Sequence, residues 1–113
     1  MASYAFAMPL VPGKTQAWRG YVKEMKGPRS ADYKASRKRA GVTKEDVFLQ
    51  STPMGDFVVV AMECEDPATV MQRLVSSADP FDVWFRDKVL IESHGVDLAG
   101  PLPPVNETIT LGP

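Results

Sequence analysis

The sequence predicts an α+β domain in which helices cover one face of an antiparallel sheet. Residues 4–10, 47–52 and 57–64 have the short, strand-like patterns that predict three β-strands. Apolar residues at helical spacing follow the first strand and recur after the third. A chain of 113 residues with 44% hydrophobic residues can form one domain around a single core.

The first strand has large side chains on one face, such as Tyr4 and Phe6, and small ones on the other. Gly27-Pro28 interrupts the helical region that follows, because proline lacks a backbone N–H and clashes with the preceding turn. A basic helix resumes near Ser30 and ends at Gly41, since glycine readily adopts the left-handed conformation of helix C-termini. The first helix is predicted to bury Trp18, Tyr21, Val22 and Met25.

The second and third strands are predicted to form a hairpin, because "TPMG" at 52–55 fits a type I turn. Val47 and Leu49 face one way on the second strand, whereas Phe48 and Gln50 face the other. The third strand, "FVVVAMEC", is apolar on both faces over most of its length. We therefore expect it at the centre of the sheet.

Two further helices are predicted by their start signals. Asp66-Pro67 and Asp79-Pro80 each combine an N-cap aspartate with proline at the first helical position. The second of these helices is predicted to end at Gly95. One face of this helix is predicted to comprise Phe81, Trp84, Phe85, Lys88 and Ile91.

Residues 1–96 thus form the predicted domain, and residues 97–113 form a proline-rich extended tail. Thr108 to Leu111 are expected to add a last short edge strand. The resulting order, β-α-β-β-α with a final strand, is the ferredoxin-like arrangement.

The sheet is predicted to carry apolar side chains on its helix-free face as well. Because monomers rarely expose so large an apolar patch, we expect a homodimer in which two copies pack sheet to sheet. The alternative is that the tail covers this face with Leu98, Leu102 and Val105.

Single copies of two residue types limit the chemistry. Cys64 alone excludes an internal disulfide framework, and His94 alone excludes a histidine-rich metal site within one chain, so no metal is expected. The N-terminus lacks the basic region of a signal peptide, and no apolar run approaches the roughly 20 residues that span a bilayer. We expect a cytoplasmic protein without a membrane partner.

Several segments resemble the dimeric α/β barrel superfamily, and more specifically a group of small bacterial proteins of unknown function within it. These segments are "VPGK", "SRKRAGV", "VFLQSTPMGD", "MECED" and "HGVDL" leading into "PLPP". The resemblance implies a homodimer and a ligand cavity between the sheet and its helices. It implies no particular reaction, because the superfamily includes monooxygenases, haem-degrading enzymes and isomerases.

The cavity that the resemblance implies would suit a planar or aromatic organic ligand. The protein would then be a small-molecule binder or a cofactor-independent enzyme. The alternative is that the aromatic residues only fill the core and that the protein is a structural or interaction module. The residues expected to line the cavity are Trp18, Tyr21, Val22, Gln50, Phe81, Trp84 and Phe85.

Two further candidates have simpler explanations. His94 could serve as an acid or base, but capping the end of its own helix is favoured. Tyr33 and Arg37, four residues apart on the basic helix, could hold a carboxylate or phosphate, but a solvent-exposed packing pair is favoured.

Cofactor and nucleic-acid partners are both disfavoured. Haem-degrading relatives use an axial histidine with a tryptophan and an asparagine, but here the only asparagine is Asn106 in the tail, so no cofactor is expected. Residues 14–44 contain ten of the 13 lysines and arginines, which indicates either a solvated basic helix or a patch for an anionic partner. The third strand lacks the glycine–aromatic pattern of RNA-recognition modules.

Overall fold

The computed structural model describes all 113 residues. Its three strands form one antiparallel sheet in the order β1-β3-β2, which confirms the α+β class and the central position of the third strand. The ferredoxin-like arrangement stays a prediction, because a fourth strand is absent. The elements are β1 (Ala2–Pro9), α1 (Thr15–Lys26), α2 (Ser30–Arg39), β2 (Val42–Thr52), β3 (Gly55–Cys64), α3 (Pro67–Ser76), α4 (Pro80–Phe85) and a π-helix (Arg86–Ser93).

The register of the sheet sorts its side chains into two faces. Val58 of β3 lies between Met8 and Leu49 of the neighbouring strands, and this row faces the helices. The next residue, Val59, lies between Ala7 and Phe48 on the opposite, helix-free face. The buried sheet residues of the helix-covered face are Tyr4, Met8, Val42, Val58, Val60, Met62 and Cys64.

The helix boundaries follow the local signals in the sequence. The carboxylates of Asp66 and Asp79 accept hydrogen bonds of 3.0 Å from the backbone N–H groups of Ala68 and Phe81. Gly41, which follows α2, has a φ of 79°, a conformation that glycine adopts without steric cost. The predicted break between α1 and α2 is confirmed. None of the helices combines the length and apolar character that a bilayer-spanning segment requires.

The last helical segment is wound differently from the prediction. Beyond Phe85 the chain continues as a π-helix, in which the N–H of His94 donates to the carbonyl oxygen of Val89, 3.2 Å away and five residues earlier. These wider turns rotate the side chains relative to an α-helix. Lys88 and Ile91, predicted to share a face with Phe81, are therefore exposed, and the buried residues of the segment are Val89, Leu90 and Ser93.

The tail forms no strand, so the prediction of an edge strand at its end is wrong. The hydroxyl of Tyr4 donates to the carbonyl oxygen of Pro103 at 2.5 Å, and the N–H of Ala5 donates to Oδ1 of Asn106 at 2.8 Å. The side chain of Asn106 thus binds a backbone N–H at the free edge of β1, where a fourth strand would have to pair. Leu98 and Leu102 pack against the core on the helix-covered side. These contacts leave the helix-free face uncovered.

Candidate ligand cavity

A cavity of about 390 Å³ lies between the sheet and the helices, and 15 of its 20 lining residues are hydrophobic. Its size and apolar character are those of small-molecule sites, which typically measure about 300–1,000 Å³. The sheet contributes Phe6, Met8, Val47, Val58, Val60 and Met62, and the helices contribute Trp18, Val22, Met25, Met71, Leu74, Phe85, Val89 and Leu90.

The cavity opens at the edge of the sheet formed by β2. Val47 lies on the helix-covered side of β2, yet 40% of its surface is exposed. Lys26 at the end of α1 also lines the opening, together with Asp46 of β2. A ligand would enter between α1 and β2.

A buried ion pair lies near the opening. Nε of Arg37 donates to Oε1 of Glu45 at 2.8 Å, and the hydroxyl of Tyr33 donates to the same oxygen at 2.5 Å. The guanidinium also stacks 4.4 Å from the ring centre of Phe85. Arg37 is only 4% exposed, so the expectation of a solvent-exposed Tyr33–Arg37 pair is wrong.

Charge is balanced at this end of the cavity. Arg37 and Glu45 neutralise each other, which reduces the cost of burying both charges. Burial raises the pKa of Tyr33, and the neighbouring Glu45 carboxylate raises it further. Tyr33 therefore stays a neutral hydrogen-bond donor throughout the physiological pH range.

A second polar cluster fixes α2 against α4. Asp82 is 2% exposed and accepts hydrogen bonds from the hydroxyls of Ser36 and Ser77 and from Nη2 of Arg39. Burial opposes ionisation of Asp82, but these hydrogen bonds outweigh it and lower its pKa. The Ser36 hydroxyl also accepts a bond of 3.1 Å from Nη1 of Arg37, so the cluster positions the ion pair of the cavity.

His94 lines the cavity from the end of the π-helix. Its Nδ1 lies 2.8 Å from the carbonyl oxygen of Pro9, at the end of β1. His94 is the C-cap residue of the π-helix, as predicted, and its backbone N–H donates to the carbonyl oxygens of Val89 and Ile91. Its side chain instead connects the π-helix to the sheet. Burial lowers the pKa of His94, although the hydrogen bond to Pro9 acts in the opposite direction. The neutral imidazole prevails at pH 7.

The predicted lining residues separate into two groups. Trp18, Val22 and Phe85 line the cavity, as do Tyr33, Arg37 and His94. Tyr21, Phe81 and Trp84 do not line it; Trp84 instead contacts the other two rings, with centroids 5.8 Å from Tyr21 and 5.5 Å from Phe81. This aromatic cluster joins α1 to α4, and the guanidinium of Arg29 lies over Trp84.

Gln50 does not reach the cavity. It lies opposite Phe57 in the sheet, on the helix-free face, and it is exposed. The expectation that it contributes to the site is therefore not met, since alternation along β2 places Leu49 rather than Gln50 on the cavity side. Sequence reasoning also missed Glu45, Met71, Leu74, Val89 and Leu90 as lining residues.

The helix-free face carries an apolar stripe. Phe48 is 56% exposed, and Phe57, Val59 and Ala61 are half-buried. Ala5 and Ala7 of β1 extend the stripe to the other edge of the sheet.

No cluster of three or more histidine, cysteine, aspartate or glutamate side chains could hold a metal ion. No protein-family model matches the chain, and no curated protein is significantly similar to it in sequence.

Proposed function

We propose that this protein is a homodimer that binds a small planar or aromatic ligand in the cavity between its sheet and its helices. The observation that carries this proposal is the open, mainly apolar cavity of about 390 Å³. Side chains that served only to complete a core would pack to the density of protein interiors and leave few voids larger than a water molecule.

The lining supports an apolar ligand without a large net charge. The rings of Trp18 and Phe85 give flat surfaces for an aromatic ligand to pack against. Arg37 and Glu45 at the open end already satisfy each other, and the other two charged residues there, Lys26 and Asp46, have opposite signs. A ligand therefore gains most of its binding free energy from removing apolar surface from water.

The test uses the fluorescent, neutral aromatic probe 1-aminoanthracene and two variants of neighbouring residues. Val47→Trp places a large ring in the opening of the cavity, whereas Phe48→Trp changes the adjacent residue on the opposite face. We expect Val47→Trp to weaken probe binding by about tenfold, equivalent to about 1.4 kcal/mol, and Phe48→Trp to leave it unchanged.

The reverse pattern, in which only Phe48→Trp weakens binding, would place the probe on the helix-free face and overturn the proposal. Equal binding by both variants and by the wild type would show that the probe does not bind in the cavity. This result would also overturn the proposal. Thermal unfolding of both variants checks that each remains folded.

A homodimer is the second part of the proposal. The helix-free face combines an apolar centre with a rim of both charges, since Lys44 lies opposite Glu63 in the register of β2 and β3. A two-fold axis brings such a face against itself, so that apolar centres meet and unlike charges lie near each other. A second copy of the chain is therefore the occupant that this face fits.

A second candidate function is favoured by the same face. If the dimer interface and the charged surfaces are themselves the function, the protein is a structural or interaction module. In that case 1-aminoanthracene would not bind in the cavity, but the dimer would form. The Val47→Trp variant and a measurement of molecular mass therefore separate the two functions.

A further inference from the structure

We propose that His94 accepts a hydrogen bond from the ligand, so that the ligand is an apolar molecule with a terminal hydroxyl group, for which a phenol is the simplest case. This inference rests on the proposed function and specifies the ligand of the same cavity. It is carried by the hydrogen bond between His94 and Pro9, by the π-helix, and by the position of His94 among the apolar residues of the cavity.

The hydrogen bond to Pro9 determines which nitrogen of His94 carries the proton. A carbonyl oxygen only accepts hydrogen bonds, so Nδ1, at 2.8 Å from that oxygen, has to be the donor. In the neutral ring the other nitrogen, Nε2, then carries a lone pair and no proton. The ring's hydrogen bond to the protein is made through Nδ1, which leaves Nε2 as the acceptor available to a ligand.

The π-helix brings His94 to the cavity. Its wide turns place Val89 and Leu90 in the cavity lining, and they end at His94. Ser93 supports the segment, because its buried hydroxyl donates to the carbonyl oxygen of Lys88 at 2.8 Å. π-helical turns are rare and occur frequently at functional sites. Here the unusual winding has one chemical consequence, which is the placement of an imidazole beside apolar side chains.

The acceptor has little competition within its part of the cavity. The two polar ends of the cavity are marked by His94, which bonds Pro9, and by Glu45, which lies in the same row of the sheet as Tyr4. Pro9 and Tyr4 are five residues apart on β1, so at about 3.4 Å per residue the two ends are separated by about 17 Å. At the far end Arg37, Tyr33 and Glu45 are bonded to each other. A hydroxyl at the His94 end therefore meets an acceptor without a partner in the protein, in a cavity with a mainly apolar lining.

A ligand without a donor leaves this acceptor unsatisfied once it has displaced water. Because an unpaired buried acceptor costs free energy, His94 favours a ligand with a hydrogen-bond donor over a ligand of the same shape without one. A matched pair of elongated probes isolates the effect: 4-hydroxybiphenyl carries the hydroxyl, and 4-methylbiphenyl replaces it with a methyl group of similar size. We expect the wild type to bind the hydroxylated probe about three- to tenfold more tightly.

Two amide variants separate the roles of the two ring nitrogens. The amide nitrogen of His94→Asn occupies the region of Nδ1 and can still donate to Pro9, but nothing replaces Nε2. The amide of His94→Gln extends into the region of Nε2 and retains an acceptor there, but the bond to Pro9 is lost. We expect His94→Asn to bind both probes with equal affinity and His94→Gln to retain part of the preference for 4-hydroxybiphenyl.

Nuclear magnetic resonance gives a second readout that a purely structural role would not change. His94 is the only histidine of the chain, so its imidazole nitrogens are identified without ambiguity. Long-range proton–nitrogen spectra should show a protonated Nδ1 and an unprotonated Nε2 in the free protein. Addition of 4-hydroxybiphenyl should shift the Nε2 signal, and addition of 4-methylbiphenyl should not.

The outcomes distinguish this inference from the proposed function. Equal affinity of the wild type for both probes, with binding still blocked by Val47→Trp, overturns the hydroxyl specificity and leaves the cavity as the binding site. Binding of neither probe overturns both proposals. A preference for 4-hydroxybiphenyl that survives in His94→Asn also overturns the inference, because another residue would then accept the hydrogen bond.

Discussion

Substitution of Phe48 by aspartate should dissociate the proposed homodimer. Phe48 lies on the helix-free face of the edge strand β2, and its neighbour on the central strand is Val59. Phe48 is 56% exposed in the single chain, so more than half of its surface remains for a partner to bury. Phe48→Asp removes this apolar surface and puts a charge within the proposed interface.

The expected magnitude follows from the exposed area. A phenylalanine that is fully buried removes roughly 200 Å² from water, so the exposed 56% of Phe48 corresponds to roughly 110 Å². At about 25 cal/mol per Å² this is worth about 2.8 kcal/mol in each copy, or about 5–6 kcal/mol in a symmetric dimer. The dissociation constant should therefore rise by about 10⁴-fold, before any cost of burying the carboxylates is added.

Sedimentation equilibrium over a wide range of protein concentrations measures the effect directly. The matched control is Val47→Asp, which introduces the same charge at the neighbouring residue on the helix-covered side. We expect the wild type and Val47→Asp to sediment as dimers and Phe48→Asp as a monomer with an unchanged circular dichroism spectrum. A wild-type protein that is monomeric at micromolar concentration would refute the reasoning, as would a Phe48→Asp variant that remains dimeric.

Two further predictions concern stability. Asp82→Ala should lower the free energy of unfolding by about 2–3 kcal/mol, because it leaves the hydroxyls of Ser36 and Ser77 without their acceptor, whereas exposed Arg39 keeps Asp79 as a partner; the half-buried cap variant Asp79→Ala should cost only about 1 kcal/mol. The free energy of unfolding should also fall as the pH is lowered below about 6.5. The pKa of His94 is lower in the folded protein than in the unfolded chain, so the unfolded chain binds the proton first. Chemical denaturation from pH 7.5 downward checks this, and His94→Asn should remove that part of the pH dependence; an unchanged dependence in the variant would contradict the assignment.

Local signals in the sequence predicted the elements well because their physical causes are local. The aspartate–proline pairs at 66–67 and 79–80 begin helices, since the side chain and the N–H groups that it caps lie within the same turn. Alternation along β2 correctly assigned Leu49 and Phe48 to opposite faces. The alternation does not show which of the two faces the helices cover. The prediction that Gln50 lines the cavity is therefore wrong, because Gln50 lies on the helix-free face.

The features that the sequence did not predict depend on distant contacts or on a different helical period. The cluster around Asp82 joins Ser36 and Arg39 of α2 to Ser77, which follows α3, and no sequence pattern connects these two distant segments. A spacing of about 3.6 residues per turn places Ile91 on the same face as Phe81, but the π-helix has more residues per turn. The burial of Arg37 also depends on a partner, Glu45, that lies beyond the end of its own helix.

The central strand β3 connects the two proposed roles of the protein. Val58, Val60 and Met62 form the floor of the cavity, and the intervening Phe57, Val59 and Ala61 form the middle of the helix-free face. Because successive side chains of a strand point to opposite faces, a shift of the register by one residue would exchange the two sets. The tight turn at Pro53 and Met54 and the ladders on both sides of β3 prevent that shift. Ligand binding and dimer formation can therefore be altered separately by substitutions at adjacent residues of the same sheet, which is why each neighbouring pair of variants serves as its own control.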